Sequence, residues 1–529
     1  MLHSLKSYPV KGDILELYED SPKSFYASLV QSTGRFGDKI CITDDSGRQY
    51  TYRQLLDMVD AFSKHLYHKC DVRPGMRVGL LLYNTIGFCV SFLAINKLNS
   101  TSVPLSTKYR ETEVIPLIKK ASLSGLIYDE GFSQWFTDSS DIQMDFFLSY
   151  NDAAPSALLE GTEELSDVPV FKPDPADIAI IMFTSGTTSY SKGVTMTNYN
   201  TMHAVSVYRK IFQVTPDDIT LIPVPIYHVT GLIGLLSLFL STGGSIILHK
   251  FFDARRVLHD VSQYGITFIH AAPTVFSLLL EQKADFPNLT SIRLMACGSS
   301  NMPSKKILEL KEWMPQAEFR TVYGLTETSS PATIFPCDVS QSPYIGSSGQ
   351  PVPGTFFKIV SDTGEILPFN QVGAILIKGS VVTPGYYIDS LVPLRDGWLD
   401  TGDLGYFNEE GYLYIVDRKK DMINRGGEKI CSIDVENTLY DIPDITEAAV
   451  VGIPDEKYGE VPAAMICLKQ GSDLTSEKLR SMLKEKLASF QIPAVFLIVD
   501  SIPLTPNSKI DKKKIRQLLS QNFTNGGRK

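Results

Sequence analysis

The stretch whose reading decides the fold is Ile178-Ala179-Ile180-Ile181-Met182-Phe183-Thr184-Ser185-Gly186-Thr187-Thr188-Ser189-Tyr190-Ser191-Lys192-Gly193. Its opening apolar run predicts a buried strand over 177–183, of the kind found in parallel sheets covered on both faces. A hydroxyl-rich loop containing glycine follows directly and ends in Lys192. Small residues let the backbone approach an anion, hydroxyls and backbone N–H groups donate to its oxygens, and the lysine adds a point charge. The loop therefore suits phosphate. It is not a Walker loop, because Ser191 precedes the lysine where that pattern needs glycine, and Gly193 follows it where Ser or Thr is needed. Composition alone fits a polar surface loop equally well.

Outward from this point strands and helices alternate. On the N-terminal side, 39–67 reads as two strands about a turn at Asp45-Ser46-Gly47. A helix then opens at Thr51, with Leu55, Leu56, Val59, Phe62 and Leu66 at helical spacing. A strand over 77–82 and a helix over 86–98 come next. Beyond the loop the same beat continues through strands at 219–222, 245–248, 266–270, 292–296 and 319–322, with helices at 254–264, 274–281 and 304–313. Such alternation implies right-handed crossovers, and ligands on such sheets bind at the carboxyl ends of the strands. Short strands and Gly/Pro turns over about 346–414 predict a β-rich subdomain. Strands at 447–451 and 463–468, with helices at 476–487 and 512–519, predict a separate C-terminal domain. The expected class is α/β. Residues 1–419 form a large N-terminal domain of mostly parallel sheets with helices on both faces plus the β-rich subdomain, and residues 420–529 form a small, mobile α+β domain.

The chain has 529 residues, 43% of them hydrophobic, with 50 Lys+Arg against 59 Asp+Glu and a net charge of −9. That composition excludes disorder for the bulk of the chain, and its mixed charge argues against a dedicated nucleic-acid binder. The one strongly basic stretch, 509–529, sets seven Lys/Arg against Asp511 and reads as a solvated terminal helix. Seven scattered cysteines without a C-x-x-C pair fit a reducing compartment and offer no zinc site. Residues 1–20 lack the apolar run of a signal peptide, and the most apolar stretch, 231–240, falls short of the roughly 20 residues a bilayer span needs. The expectation is a cytoplasmic protein with no integral membrane segment.

Residues Thr184 to Gly193 resemble the phosphate loop of the adenylate-forming superfamily, which contains acyl-CoA synthetases, aryl-CoA ligases, peptide-synthetase adenylation domains and luciferases. Further segments match in the family's order. Pro225-Ile226-Tyr227-His228-Val229-Thr230-Gly231 is similar to its acyl-pocket segment and Tyr323-Gly324-Leu325-Thr326-Glu327 to its adenine and magnesium segment. Gly397-Trp398-Leu399-Asp400-Thr401-Gly402-Asp403 is similar to its ribose segment. Asp417-Arg418-Lys419-Lys420-Asp421 with Arg425-Gly426-Gly427-Glu428 resembles the hinge, and Pro503-Leu504-Thr505-Pro506-Asn507-Ser508-Lys509-Ile510 the loop of the catalytic lysine. The likeness runs from about residue 20 to the end, within the acyl-CoA ligase branch.

The resemblance implies an ATP-dependent acid-thiol ligase that joins a carboxylic acid to AMP, releases pyrophosphate and passes the acyl group to CoA, with Mg²⁺ as cofactor. It assigns Lys509 to the charge developing on the α-phosphate, Thr326 to donate there, Glu327 to hold Mg²⁺, and His228 to the mouth of the acyl pocket beside the reacting groups. Thr184, Ser185, Gly186, Thr187, Thr188 and Lys192 would hold phosphates. Gly298, Ser299, Ser300, Tyr323 and Gly324 would enclose adenine, while Asp403 and Arg418 would take the ribose. Tyr227, Val229, Met295, Val322 and Ala332 would wall an apolar acyl pocket, although most could equally be ordinary core. Lys420 would be the hinge that swings Gly426 and Gly427 to a pantetheine tunnel. Departures from the commonest family pattern are Ser189, Ser191, Ser299, Ser300, Ala374, Asp417 and Ser508.

No aspartate lies between Leu221 and Gly231 to meet an ammonium group, so the acid is not expected to be an α-amino acid. A fatty or aromatic acid suits apolar walls, and a short dicarboxylate stays open. Loading of an acyl carrier protein's phosphopantetheine is the alternative acceptor chemistry. A nucleotide-binding regulator without catalysis is a third reading, and the presence of Lys192, Glu327, Asp403, Arg418 and Lys509 together argues against it.

Overall fold

The computed structural model describes the chain except residues 1–4, 11–12, 138–141, 185–190, 389–393, 506–508 and 526–529. Two large sheets form the N-terminal domain. In the first, the strands Phe146–Tyr150, Gly125–Asp129, Arg77–Leu81, Thr101–Pro104 and Ile178–Thr184 are parallel. Lys192–Thr197 and Tyr386–Tyr387 add an antiparallel edge. The second sheet has six parallel strands at its centre, among them Phe268–Ala271, Leu294–Cys297 and Glu318–Tyr323.

The helix Ile86–Lys97 explains how the sheets join. It is apolar around its whole circumference and buried along almost its full length, which marks a helix enclosed on every side. Its Phe88, Val90, Phe92, Leu93 and Ile95 belong to one core cluster with Val78 and Leu80 of the first sheet and Ile222 and Leu248 of the second. Each such side chain contributes about 1.5–3 kcal/mol of burial. Flanking helices start where hydroxyl caps are available. Thr51 accepts from the backbone of Gln54 to open Tyr52–His68, and Thr197 with Asn200 forms the same reciprocal box ahead of Asn198–Ile211.

The β-rich part is a five-stranded antiparallel sheet running from Thr355–Val360 to Leu413–Arg418, so it extends to residue 418. Tyr386–Tyr387, inside the predicted subdomain, leaves it to pair with Gly193 and Val194 of the first sheet. The small C-terminal domain has its own sheet, with Ile445–Asp455 and Gly459–Leu468 as a long hairpin. Its last helix, Lys512–Asn525, is not a free basic arm. Ile515 and Leu519 are fully buried, and Lys512 donates to Ser432 Oγ at 2.7 Å and pairs with Glu436 at 2.9 Å.

The small domain rests on the large one through the helix Ser304–Trp313. Lys306, only 9% exposed, donates across the boundary to the Thr446 carbonyl at 2.9 Å and to Glu447 Oε1 at 3.1 Å. Within its own domain it donates to Ser277 Oγ at 2.5 Å. No described helix is long and apolar enough to cross a membrane.

Candidate active site

A cavity of about 40 Å³ opens at the carboxyl ends of two neighbouring strands of the second sheet. Gly298 and Ser299 follow Leu294–Cys297, Gly324 and Thr326 follow Glu318–Tyr323, and Lys509 arrives from the C-terminal domain to share the same cavity. The lysine's loop is tied at its base, where Thr505 N donates to the Lys509 carbonyl at 2.7 Å and Lys509 N to Thr505 Oγ1 at 3.2 Å. The side chain is wetted by the cleft yet ringed by protein. This partial desolvation, reinforced by Arg418, lowers its pKa to about 8 while Asp403 and Glu327 pull the other way. At neutral pH it is mostly an ammonium.

The turn after Tyr323 leaves no room for a side chain at 324. A Cβ there would lie 1.5 Å from the Ser330 carbonyl oxygen. Ser329 and Ser330 hold φ of 52° and 104°, and Ser299 holds 75°, all in the region that favours glycine. Ser299 and Ser330 line the cavity and Ser329 adjoins it; such backbone costs on the order of 1–3 kcal/mol per residue, and such strain collects at functional sites.

Glu327 is positioned from the first sheet. Its Oε1 accepts from the Tyr386 hydroxyl at 2.9 Å, and its carbonyl accepts from Thr383 N at 2.8 Å. The same Tyr386 ring lies 5.0 Å from Lys192 Nζ, a cation–π distance, and Lys192 pairs with Thr184 across the hairpin. Tyr386 thus links Lys192 to the Glu327 carboxylate. Ser185, Gly186, Thr187 and Thr188 lie outside the described residues. Asp403 is 3% exposed. Its Oδ2 accepts from the Tyr323 hydroxyl at 2.7 Å, and its Oδ1 pairs with Arg418 Nε at 3.2 Å. Burial raises its pKa, with Arg418 and Tyr323 opposing. His228 packs edge-on against Tyr227 at 4.8 Å, and burial, then Lys509 and Lys108, lower its pKa to about 3, so the ring is neutral. Its Nε2 is buried without a partner.

The model of the AMP-binding enzyme family matches residues 29–387, and that of the family's C-terminal domain matches 434–509. The chain belongs to the AMP-binding enzyme family. Among its relatives, oxalate–CoA ligase of Arabidopsis thaliana is 30% identical over 91% of this chain and 96% of that protein. A 2-succinylbenzoate–CoA ligase of Bacillus velezensis is 31% identical over 93% and 97%. The o-succinylbenzoate CoA synthetase of Bacillus subtilis, solved with its acyl-adenylate intermediate, superposes with a TM-score of 0.82. It is 27% identical over 92% of this chain and 97% of that one.

Within this AMP-binding enzyme the site departs from the sequence expectation in places. Met295 does not line this cavity. Side chains alternate along Leu294–Cys297, and Met295 joins the core on the opposite face of the sheet, with Phe276 and Phe319. Ala332 and Tyr227 are buried, and neither lines the cavity; the Tyr227 hydroxyl accepts from Thr107 Oγ1 at 3.4 Å instead. Val229 and Val322 do line it. Ser300 is exposed beside Ser299. Gly426 and Gly427 form the turn of the hairpin Ile423–Ile430 with φ of 59° and 98°, so the glycines are required there by backbone shape. They stand apart from the cavity that holds Lys509. Lys420 is exposed in the turn joining Arg418 to Met422. Five cavity residues, Tyr208, Thr230, His270, Leu325 and Ser330, and the positioning Tyr386 had no role in the sequence expectation, although Thr230 and Leu325 stand inside its matched segments.

Proposed function

We propose that this protein is an AMP-forming acid–CoA ligase that joins a carboxylic acid to the α-phosphate of ATP, releases pyrophosphate and transfers the acyl group to the thiol of CoA. The observation that carries it is Lys509, brought by the C-terminal domain into one cavity with Thr326 and Gly298. The substrate carboxylate is itself the nucleophile, so no general base is needed. The protein's task is to align two anions and to neutralise charge as it grows on the α-phosphate. The Lys509 ammonium and the Thr326 hydroxyl meet that need. Tyr323 offers a ring for adenine beside Gly298, Asp403 and Arg418 take the ribose, and Thr184 to Thr188 with Lys192 hold the phosphates. The relatives named for oxalate, 2-succinylbenzoate and indoleacetate as CoA ligases support the same chemistry.

The fit for Mg²⁺ rests on one carboxylate. Among the described residues no group of three or more His, Cys, Asp or Glu could hold a metal alone. Glu327 alone would suffice to hold a hard cation that keeps most of its waters, and such a cation would offset phosphate charge. Tyr386 holds that carboxylate in place. For the second half-reaction, the domain following Lys420 rotates, withdraws Lys509 and presents the Gly426-Gly427 turn to the acyl adenylate. The domain boundary therefore falls at 419/420. All seven cysteines are free thiols, which suits the cytoplasm.

The test is pyrophosphate release with MgATP over a panel of short, fatty, aromatic and dicarboxylic acids, each with and without CoA. Release that depends on an acid and accelerates with CoA is expected. Acid-dependent release that CoA leaves unchanged, with acyl adenylate retained, would replace CoA by a carrier-protein thiol.

A further inference from the structure

The small domain is also tied to the large one beside Lys420, through Asp417, one of the departures from the commonest family pattern. Asp417 lies in the strand Leu413–Arg418, which pairs with Trp398–Phe407, and is 2% exposed. Its Oδ2 accepts from Ser432 N at 2.6 Å and from Ser432 Oγ at 2.8 Å, while its Oδ1 accepts from Arg418 N at 2.7 Å. Ser432 is the first residue of the small domain's helix Ser432–Tyr440, and Cys431, in the capping position, makes no side-chain bond to that helix. Asp417 supplies what Cys431 lacks. It places a carboxylate oxygen on a free N–H of the first turn, where the helix dipole favours negative charge. The helix is thus capped by a residue from the other side of Lys420.

Each end of this contact is fixed to a different body. Lys512, on the last helix, donates to Ser432 Oγ at 2.7 Å and pairs with Glu436 at 2.9 Å, and Glu436 Oε1 also accepts from Val450 N at 2.9 Å. Ser432 is thereby bound to the hairpin Ile445–Leu468 and the helix Lys512–Asn525, and Asp417 to the β-rich sheet. Lys419 and Lys420, both exposed, lie in the chain between them. A rotation of the small domain about Lys420 therefore moves Ser432 against Asp417. Hydrogen bonds of 2.6 and 2.8 Å are lost once their atoms separate by about 1 Å more. The contact belongs to the orientation that places Lys509 in the cavity.

We propose, building on the ligase function inferred above, that Asp417 is a positioning residue for adenylate formation. Its bonds to Ser432 hold the small domain in the orientation that presents Lys509, and they open when that domain rotates for CoA transfer. Water then replaces the lost donors on the uncovered carboxylate, so the tie biases the orientation without locking it.

Asp417→Asn removes the charge with little change of shape, and Ser432→Ala removes one of the two donors. Two measurements on the full chain test the proposal. The first needs no acid: trypsin cleavage after Arg418, Lys419 and Lys420. Asp417→Asn should speed it about 10-fold and Ser432→Ala about 3-fold, with every other site cut at the wild-type rate. The second uses the acid that gives the fastest pyrophosphate release in the panel above. Single-turnover adenylate formation should slow by about the same factors, while CoA transfer from that acid's supplied adenylate stays at or above the wild-type rate. Equal loss in both half-reactions, or faster cleavage throughout the chain, would show a merely structural role and overturn the proposal. So would hinge cleavage or adenylate formation that neither variant changes. A wild type that releases pyrophosphate with no acid would instead overturn the ligase function, and hinge cleavage would still decide whether Asp417 ties the domains. Where Asp417→Asn does not fold, Ser432→Ala decides.

Discussion

Replacing Lys306 by Met tests whether the contact between the two domains governs the first half-reaction. Met keeps most of the aliphatic stem and removes the ammonium, which donates across the boundary to the Thr446 carbonyl at 2.9 Å and to Glu447 at 3.1 Å. Hydrogen bonds to a charged group contribute about 1.5–3 kcal/mol each when well buried. Here the Glu447 side chain is 22% exposed and keeps the Tyr440 hydroxyl as a donor at 3.2 Å, so both freed acceptors regain part of their solvation. The net loss is about 1–2 kcal/mol, or roughly 5- to 30-fold in the population of the orientation that places Lys509 in the cavity. Single-turnover adenylate formation should slow by that factor, while thioester formation from supplied acyl adenylate should not slow. A cycle with Glu447→Gln should show coupling of about 1 kcal/mol, because the two residues share one contact. Unchanged adenylate formation in Lys306→Met, or equal loss in both half-reactions, would refute this account of the interface.

Three further outcomes are expected. Because the pKa of Lys509 is lowered to about 8 and its charged form is the useful one, kcat/KM for MgATP should fall as pH rises through about 8. Lys509→Arg, if active, should keep its rate to higher pH, and a flat profile from pH 7 to 10 in the wild type would contradict the assignment. Tyr386→Phe frees Glu327 Oε1 from its 2.9 Å bond and should raise the Mg²⁺ concentration for half-maximal pyrophosphate release by about 3- to 10-fold, with thermal stability nearly unchanged. Gly324→Ala forces a Cβ to 1.5 Å from a carbonyl oxygen and should either unfold the chain or abolish nucleotide binding, read by calorimetry and AMP titration.

Much of the large domain could be read from periodicity, because parallel strands and amphipathic helices each write one period. The helices Ala254–Tyr264 and Ser304–Trp313 lie where apolar spacing predicts them. What periodicity does not carry is partnership between strands. That two sheets share the buried helix Ile86–Lys97, and that Tyr386–Tyr387 crosses to the first sheet, depend on contacts distant in sequence. The site divides in the same way. Glu327, Asp403, Arg418 and Lys509 stand in recognisable segments, whereas His270 and Tyr208 sit in an ordinary strand and helix and gain meaning only where those elements pack. Met295 shows the converse, since membership of a strand beside the site says nothing of which face the side chain takes. The strained φ of Ser299 falls where the family resemblance leads one to expect glycine, so that departure has a local signature.

The central claim is that Lys509 serves adenylate formation alone. The most direct measurement is to compare Lys509→Ala with wild type in the two half-reactions separately, using pyrophosphate release for the first and CoA transfer from supplied acyl adenylate for the second. Loss of at least about 10²-fold in the first, the scale for removing one preorganised electrostatic group, with the second within a few-fold of wild type, is the predicted result. Comparable loss in both, or near-normal pyrophosphate release, would contradict it.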